Sequence, residues 1–446
     1  MNKTLGLLIT LALVSTAGQA ADLLGLYNEA KGYDAQYAGA RASLDAGRER
    51  LPQGRAGLLP TVGASASTTW NETNTSFHGS GAGALLGSNG STAKFNSHAW
   101  AVSLTQPLFR WQNWVNYTQA ELAVAIAEAQ FNQASQDLIV RVAQSYFDVL
   151  QAQEALASAQ AQKKAIAEQL ESAKRNFEVG TSTIVDTHEA QARFDLTDAQ
   201  LIAAESDLSV KRQVLRTVVG KEHEDLKPLK AGVDIPRPQP EDINQWAKQA
   251  ETANIGVQLA ESSNRIADQE ISKQRSGHLP TLDLVASRGN NSTGSNPLSF
   301  GGYDTTTNAV GLQLQIPIFA GGYTASKGSE AVALHNKSLA DLEVARRGAA
   351  LQARQAYLGV TSGLAQVKAL DAALVSSQSA LDSNKLGYEV GVRINIDVLN
   401  AQSQYFDTRQ KLMKARLDTL LAQLKLKAAA GNLTDGDLKA VNALLE

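Results

Sequence analysis

Six histidines are the first residues to test for chemistry: His78, His98, His188, His223, His278 and His335. They are scattered along the chain, and His188-Glu189 lacks the second histidine that a zinc-protease helix places on the same face. There is no Gly-x-Ser-x-Gly elbow, and the glycines of Gly79 to Gly90 fit neither the phosphate-loop nor the dinucleotide pattern, so they read as flexibility only. These absences predict no catalytic residues, no metal, no cofactor and no enzyme. Two carboxylates are better placed. Asp186 and Asp397 each fall in the first turn of an expected helix, where a negative charge offsets the helix dipole by about 0.3–1 kcal/mol. What such residues offer is electrostatic, and the elements that hold them decide its use.

The 446 residues can bury a large core, yet aromatics make up only 6% and the apolar total leans on alanine, which suits closely packed helices. With 41 Lys and Arg against 44 Asp and Glu, the net charge of -3 provides no basic field, and nucleic acid is excluded as a partner. The first 20 residues read as a signal peptide: Lys3 gives the positive start, Leu5 to Val14 the apolar run, and Gly18-Gln19-Ala20 a small-x-small cleavage site. That run is shorter than the ~20 residues a membrane helix needs. No cysteine is present, so there is neither a disulfide framework nor a lipid-anchor residue at the cleavage site. Beyond the signal no continuous stretch of ~18 apolar residues occurs, so any membrane crossing falls to strands.

The chain repeats itself. Arg55-Ala56-Gly57-Leu58-Leu59-Pro60-Thr61-Val62 returns as Arg275-Ser276-Gly277-His278-Leu279-Pro280-Thr281-Leu282, and Leu104-Thr105-Gln106-Pro107-Leu108-Phe109 as Leu314-Gln315-Ile316-Pro317-Ile318-Phe319. Phe177-Glu178-Val179-Gly180 returns as Tyr388-Glu389-Val390-Gly391, and Asp186 to Gln191 matches Asp397 to Gln402. Matches in constant order make an internal duplication, with a first repeat over 21–230 and a second over 231–446. The first predicts a helix, a strand over 61–70, a loop over 71–97, a strand over 98–108 and a long helical hairpin over 111–220. The second predicts a helix over 241–276, strands over 281–288 and 309–318 around a loop over 289–308, a hairpin over 323–430 and a C-terminal tail.

The strands alternate. Val310, Leu312, Leu314, Ile316 and Ile318 interleave with small or polar residues, as do Trp100, Val102 and Leu104. The pattern and the run lengths suit tilted membrane strands with one lipid-facing side, for which Trp100, Val102, Leu104, Val310, Leu312, Leu314 and Ile316 are the candidates. A soluble half-buried sheet alternates in the same way. Trp111 to Val179 and Tyr323 to Val390 run without proline and, at 1.5 Å per residue, each reaches roughly 100 Å as a helix. Gly180 and Gly391 end these helices as left-handed caps, and new helices start at Thr183-x-x-Asp186, a capping-box pattern, and at Asn395. These points are hairpin tips. Four strands cannot close a membrane barrel alone, because an open edge in lipid leaves backbone groups unsatisfied, so the chain must oligomerise.

Along essentially the whole mature chain the sequence resembles the TolC family of outer-membrane channel-tunnels. The duplicated Leu-Pro-Thr, the Gln-Pro-Leu-Phe and Ile-Pro-Ile-Phe-Ala-Gly-Gly elements, and the run from Tyr388 to Ala401 carry the resemblance. It implies a mixed α+β membrane protein: a homotrimer whose four strands per chain make a 12-stranded barrel in outer-membrane lipid, continued by a helical coiled-coil barrel through the periplasm. It also implies a periplasmic adaptor and an inner-membrane ABC or proton-driven transporter as partners. The site it implies is a gate at the tips, opened by iris-like untwisting. There, residues matching Tyr388 and Arg393 are held toward the one matching Asp186, and Asp397 points into the constriction. Where the family pattern often has a second aspartate, this chain has Asn400, so the acidic ring is weaker.

The function expected is a passive exit duct for type I protein secretion, drug efflux or both, and the missing lipid-anchor cysteine favours secretion. A non-conducting periplasmic coiled-coil adaptor is the rival; it accounts for the long helices and not for the strands.

Overall fold

The computed structural model describes residues 20–76, 90–223, 225–230, 232–296 and 301–446. The expected signal peptide, apart from its last residue, lies outside the described residues, as do His78 and the Gly79 stretch up to residue 89. Helices α1 (Leu23–Tyr33), α2 (Ala35–Arg48) and α3 (Arg50–Ala56) lead into strands β1 (Thr61–Ser76) and β2 (Gly90–Phe109). Two long helices follow, α4 (Trp111–Glu178) and α5 (Ile184–Val219), then α6 (Ile243–Ala253) and α7 (Ile255–Arg275). Strands β3 (Thr281–Asn296) and β4 (Gly301–Gln315), helices α8 (Tyr323–Glu389) and α9 (Asn395–Ala429), and a terminal α10 (Asp435–Asn442) complete the chain. The fold is thus mostly helical, with one four-stranded antiparallel sheet in the order β1-β2-β3-β4.

Several boundaries differ from the sequence expectation, and each has a local cause. The strands extend well into the stretches expected to be loops at 71–97 and 289–308. Their Ser, Thr and Asn residues read as loop formers, yet across a ladder they bond one another: Thr92 Oγ1 donates to Asn74 at 2.5 Å, Asn71 Nδ2 to Ser97 at 2.9 Å and Asn290 Nδ2 to Thr306 at 3.1 Å. Strand β4 stops at Gln315 instead of 318, since Pro317 has no N–H to give the ladder, and Ile316 therefore lies just past the strand. The helix expected over 241–276 breaks at Asn254, whose extended backbone closes α6 and whose side chain accepts from Gly256 N to start α7. The tail expected after 430 contains α10.

The expectation of no membrane-spanning helix needs an amendment. By length and composition α8 qualifies, with a window of mean hydropathy 1.2. Alanine and valine raise that average without an unbroken apolar run, and the window is mostly exposed.

Two compact units divide the chain, and neither follows the repeat boundary: one comprises 1–42, 129–258 and 344–446, the other 43–128 and 259–343. In the first, Leu23, Leu26 and Tyr27 of α1 pack with Leu138, Val142 and Tyr146 of α4, Leu215 of α5, Leu417, Leu420 and Leu424 of α9, and Leu438 of α10. The buried phenols are anchored, Tyr146 donating to Lys227 O at 2.7 Å and Tyr27 to Asp435 at 2.8 Å. Burial pushes both phenol pKa values up, and the Asp435 carboxylate accentuates the rise at Tyr27. Burial opposes the Asp435 charge, but hydrogen bonds from Lys31 and Tyr27 outweigh it and hold that carboxyl below its ordinary range. The C-terminal helix is thereby tied to α1. The second unit holds the sheet. At its helical end Arg110, just after β2, makes a bidentate pair with the buried Asp283 of β3 at 2.8 and 2.5 Å, joining a strand of one repeat to a strand of the other.

Candidate functional site

The two hairpin tips are built alike in backbone and unlike in side chains. After α4, Gly180 takes φ 77° and Thr181 N bonds Asn176 O at 2.8 Å; after α8, Gly391 takes φ 80° and Val392 N bonds Gly387 O at 2.9 Å. Both φ values belong to the left-handed region in which a Cβ is strained, which is why glycine stands at each. The helix after the first tip is capped by its own residues. Thr183 accepts from Asp186 N, and the Asp186 carboxylate returns a bond to Thr183 N at 3.0 Å. The helix after the second tip has Ile394 at its N-cap, which offers no side-chain bond, and its first-turn acid Asp397 pairs instead with Arg393 at 3.6 Å.

The expected gate residues are therefore neighbours, but not all in the expected pairs. Within the chain Arg393 meets Asp397, not Asp186, whose carboxylate is engaged in the capping box. The phenol of Tyr388 accepts from Asn176 Nδ2 at 3.1 Å, which joins the α8 tip to α4. Asn400 accepts from Arg193 of α5 at 2.9 Å, a bond available to an amide as to an acid. A further link was not expected from sequence: Asn395 accepts from Gln169 of α4 at 2.5 Å and donates to Asp186 O at 3.2 Å. Its signal was the polarity mismatch with Ile184, the corresponding residue of the first repeat. Around the tips Val179, Ile184, Val185, Val390, Val392 and Ile394 are exposed.

The sheet supplies the second feature. Its register places Val62, Leu104, Ala286 and Val310 opposite one another across all four strands, with Leu284 against Leu312 and Leu282 against Leu314 in the adjoining rows. On the other face Gly63, Ser103, Ser287 and Ala309 form one row and Ser65, Ala101, Gly289 and Thr307 another. One apolar row thus crosses all four strands, and the rows on the opposite face are small or polar. The band is uneven: beside Val102 and Trp100 the second-repeat strands present Arg288 with Asn308 and Asn290 with Thr306. Val62, Trp100, Val102, Val310, Leu312, Leu314 and Ile316 are exposed, while Leu104 is half-buried. Phe109, Trp111, Trp114, Ile318, Phe319 and Tyr323 add exposed apolar surface where strands give way to helices. Among the described residues no group of His, Asp and Glu could hold a metal ion.

Comparison with known proteins gives concordant results. The profile described as "Outer membrane efflux protein" matches residues 26–221 and 246–432, one segment in each repeat. The chain is 32% identical over 450 residues to "Outer membrane protein TolC" of Vibrio cholerae, covering 100% of this chain and 99% of that protein. It is 30% identical to "Proteases secretion protein PrtF" of Dickeya chrysanthemi, over 99% of this chain and 95% of that one. The solved CmeC outer membrane channel of Campylobacter jejuni shares the fold, with a TM-score of 0.76 at 15% identity over 95% of this chain and 90% of that chain.

Proposed function

The chain belongs to the outer membrane efflux protein family, and on that premise we propose that it works as the gated, passive exit duct of an export machine. It is an outer-membrane protein and an exit channel for secretion and efflux, in a family of channels rather than enzymes. Two relatives are named as protease secretion proteins, and since a passive duct needs a source of energy and cargo, an adaptor and an inner-membrane transporter are the partners of this reading.

Three copies bring twelve strands together into one barrel, with the row through Val62, Leu104 and Val310 in lipid and the Gly63, Ser103 and Ser287 row facing water. The exposed aromatic group at the strand ends sits at the lipid boundary, as interfacial girdles do. The tips form the gate, with Arg393, Tyr388, Asp397 and Asn400 around the constriction and Arg393 facing Asp186 of a neighbouring copy. The exposed valines and isoleucines of the tips receive the adaptor. The division into a signal peptide and two structural repeats belongs to the same reading. The observation that carries it is the sheet: four paired strands, with one apolar row running across all of them and two free edges, call for other copies and a lipid phase. Secreted proteins are included in the cargo, on the likeness to the Dickeya protein and to "Alkaline protease secretion protein AprF" of Pseudomonas aeruginosa, 31% identical over 95% of this chain.

Purified protein added to a planar bilayer tests conduction. Stepwise, ion-selective conductance is expected; its absence from correctly assembled protein leaves the rival reading of a coiled-coil bridge that conducts nothing.

A further inference from the structure

Corresponding positions of the two tips have opposite polarity and opposite burial. Ile184, first residue of α5, is 45% exposed, whereas Asn395, first residue of α9, is 0% exposed. An amide is tolerated in such a place only when hydrogen-bonded. Both ends of the Asn395 side chain are: its oxygen accepts from Gln169 of α4, and its nitrogen donates to the Asp186 carbonyl of α5. One side chain of the α8/α9 hairpin thereby ties both helices of the α4/α5 hairpin.

The surroundings of this tie are balanced in a particular way. A small apolar cluster of Ile166, Leu170, Ala173, Ala190 and Leu399 fills the seam. One turn from Leu399 on α9, Gln402, 3% exposed, buries its side-chain oxygen without a hydrogen bond, and one turn from Ala190 on α5, Thr187 likewise buries its hydroxyl. Orphaned polar atoms cost free energy only while water is excluded. Parting the hairpins hydrates Gln402 and Thr187, and it breaks the two bonds of Asn395.

We propose that Asn395 is a gating residue: its bonds to Gln169 and Asp186 hold the α8/α9 tip against the α4/α5 tip in the closed channel, opposed by the orphaned polar atoms of Gln402 and Thr187. The proposal rests on the reading of the tips as a gate. It differs from that reading in placing a latch inside each chain, independent of Arg393.

The experiment is single-channel recording on heat-stable, full-length oligomers. Asn395→Ala raises the open population about tenfold or more, Gln169→Ala raises it less because one of two bonds survives, and Gln402→Leu lowers it. Since the chain has no cysteine, Gln169→Cys with Asn395→Cys gives a second route that tolerates poor assembly of the alanine variant. Unbridged, the pair lacks the amide bonds and conducts more; bridged by a short bifunctional thiol cross-linker, with the bridge verified by mass, it is locked and conducts less. Wild-type behaviour of Asn395→Ala, or equal conductance of the bridged and unbridged pair, overturns the proposal. Arg393→Ser, recorded alongside, reports on the Arg393 lock by itself. If it is silent while Asn395→Ala opens the channel, the latch stands and the Arg393 lock falls; the converse result removes the latch alone.

Discussion

Arg393 stands where a small energy has a large readout. Its side chain is more than half exposed and its partner within the chain, Asp397, lies one turn away at 3.6 Å. Exposed pairs at this spacing are worth about 0.3–0.5 kcal/mol, and the proposed pair to Asp186 of a neighbouring copy is worth ~0–1 kcal/mol. Three copies acting on one concerted transition total up to ~3 kcal/mol, a factor of roughly a hundred in open population. Arg393→Ser, and more so Arg393→Ser with Tyr388→Phe, is therefore expected to raise bilayer conductance and to make cells leak large antibiotics. Asp397→Ala deletes negative charge at the constriction and also leaves Arg393 uncompensated, so cation selectivity falls, read as a shift of reversal potential in a salt gradient. Unchanged conductance for Arg393→Ser in assembled protein, together with an unmoved reversal potential for Asp397→Ala, removes the electrostatic part of the gate. Sequence reading located the tips through the duplication, because Asp186 and Asp397, or Gly180 and Gly391, hold matching places, and it assigned Arg393, Tyr388 and Asp397 to a gate only through the family resemblance. It did not reach Asn395 or Gln169, because the burial of a helix-starting asparagine depends on which hairpin packs over it, and no periodicity encodes that.

Strands and helices differ in how much of them the sequence discloses. The helices and their glycine stops were legible, since proline-free stretches and left-handed caps are local properties. The outer halves of the strands were not, because Thr73 to Ser76 or Thr305 to Thr307 become strand only through ladder partners across the hairpin. The direction of alternation in the inner halves was readable, and it yields the sharpest test at this scale. Leu312 and Leu314 share the apolar side with Leu284 and Leu282, whereas Gln313 lies opposite Asp283 on the polar side. Arginine in place of either leucine places charge in lipid at ~2–4 kcal/mol near the bilayer midplane, while Gln313→Arg meets water. Heat-stable oligomer recovered from outer-membrane fractions should drop for Leu312→Arg and Leu314→Arg and hold for Gln313→Arg. Equal recovery of all three cancels the assignment of sides.

At the scale of the whole molecule, the proposed assembly makes one chain an unfinished object, and its helices support that reading as its sheet does. Along α8 the exposed residues Val344, Leu351 and Leu358 recur every seventh position, and along α5 the exposed Leu196 and Val210 keep the same period. A heptad stripe of this kind is the face a helix offers to a neighbour. Within the chain α4 and α9 have already found theirs, through Glu154 with Arg409 at 2.7 Å, and α9 is joined to α8 through Arg416 with Asp371 at 2.7 Å. The stripes left over, on α5 and α8, lie on different helices, so copies that join by them join head to tail. A head-to-tail contact closes a ring when the rotation per copy divides a full turn, and otherwise it grows without limit. The membrane fixes the same requirement from the other side, since four strands carry two edges that lipid cannot satisfy. Twelve strands from three copies meet both conditions. The protein extracted in mild detergent is accordingly expected to have the mass of three chains. Arginine at Leu351 and Leu358 together should release monomers that keep their helical content and lose conductance. A conducting monomer or dimer, or a double variant that still runs as a closed oligomer, refutes assembly through these faces.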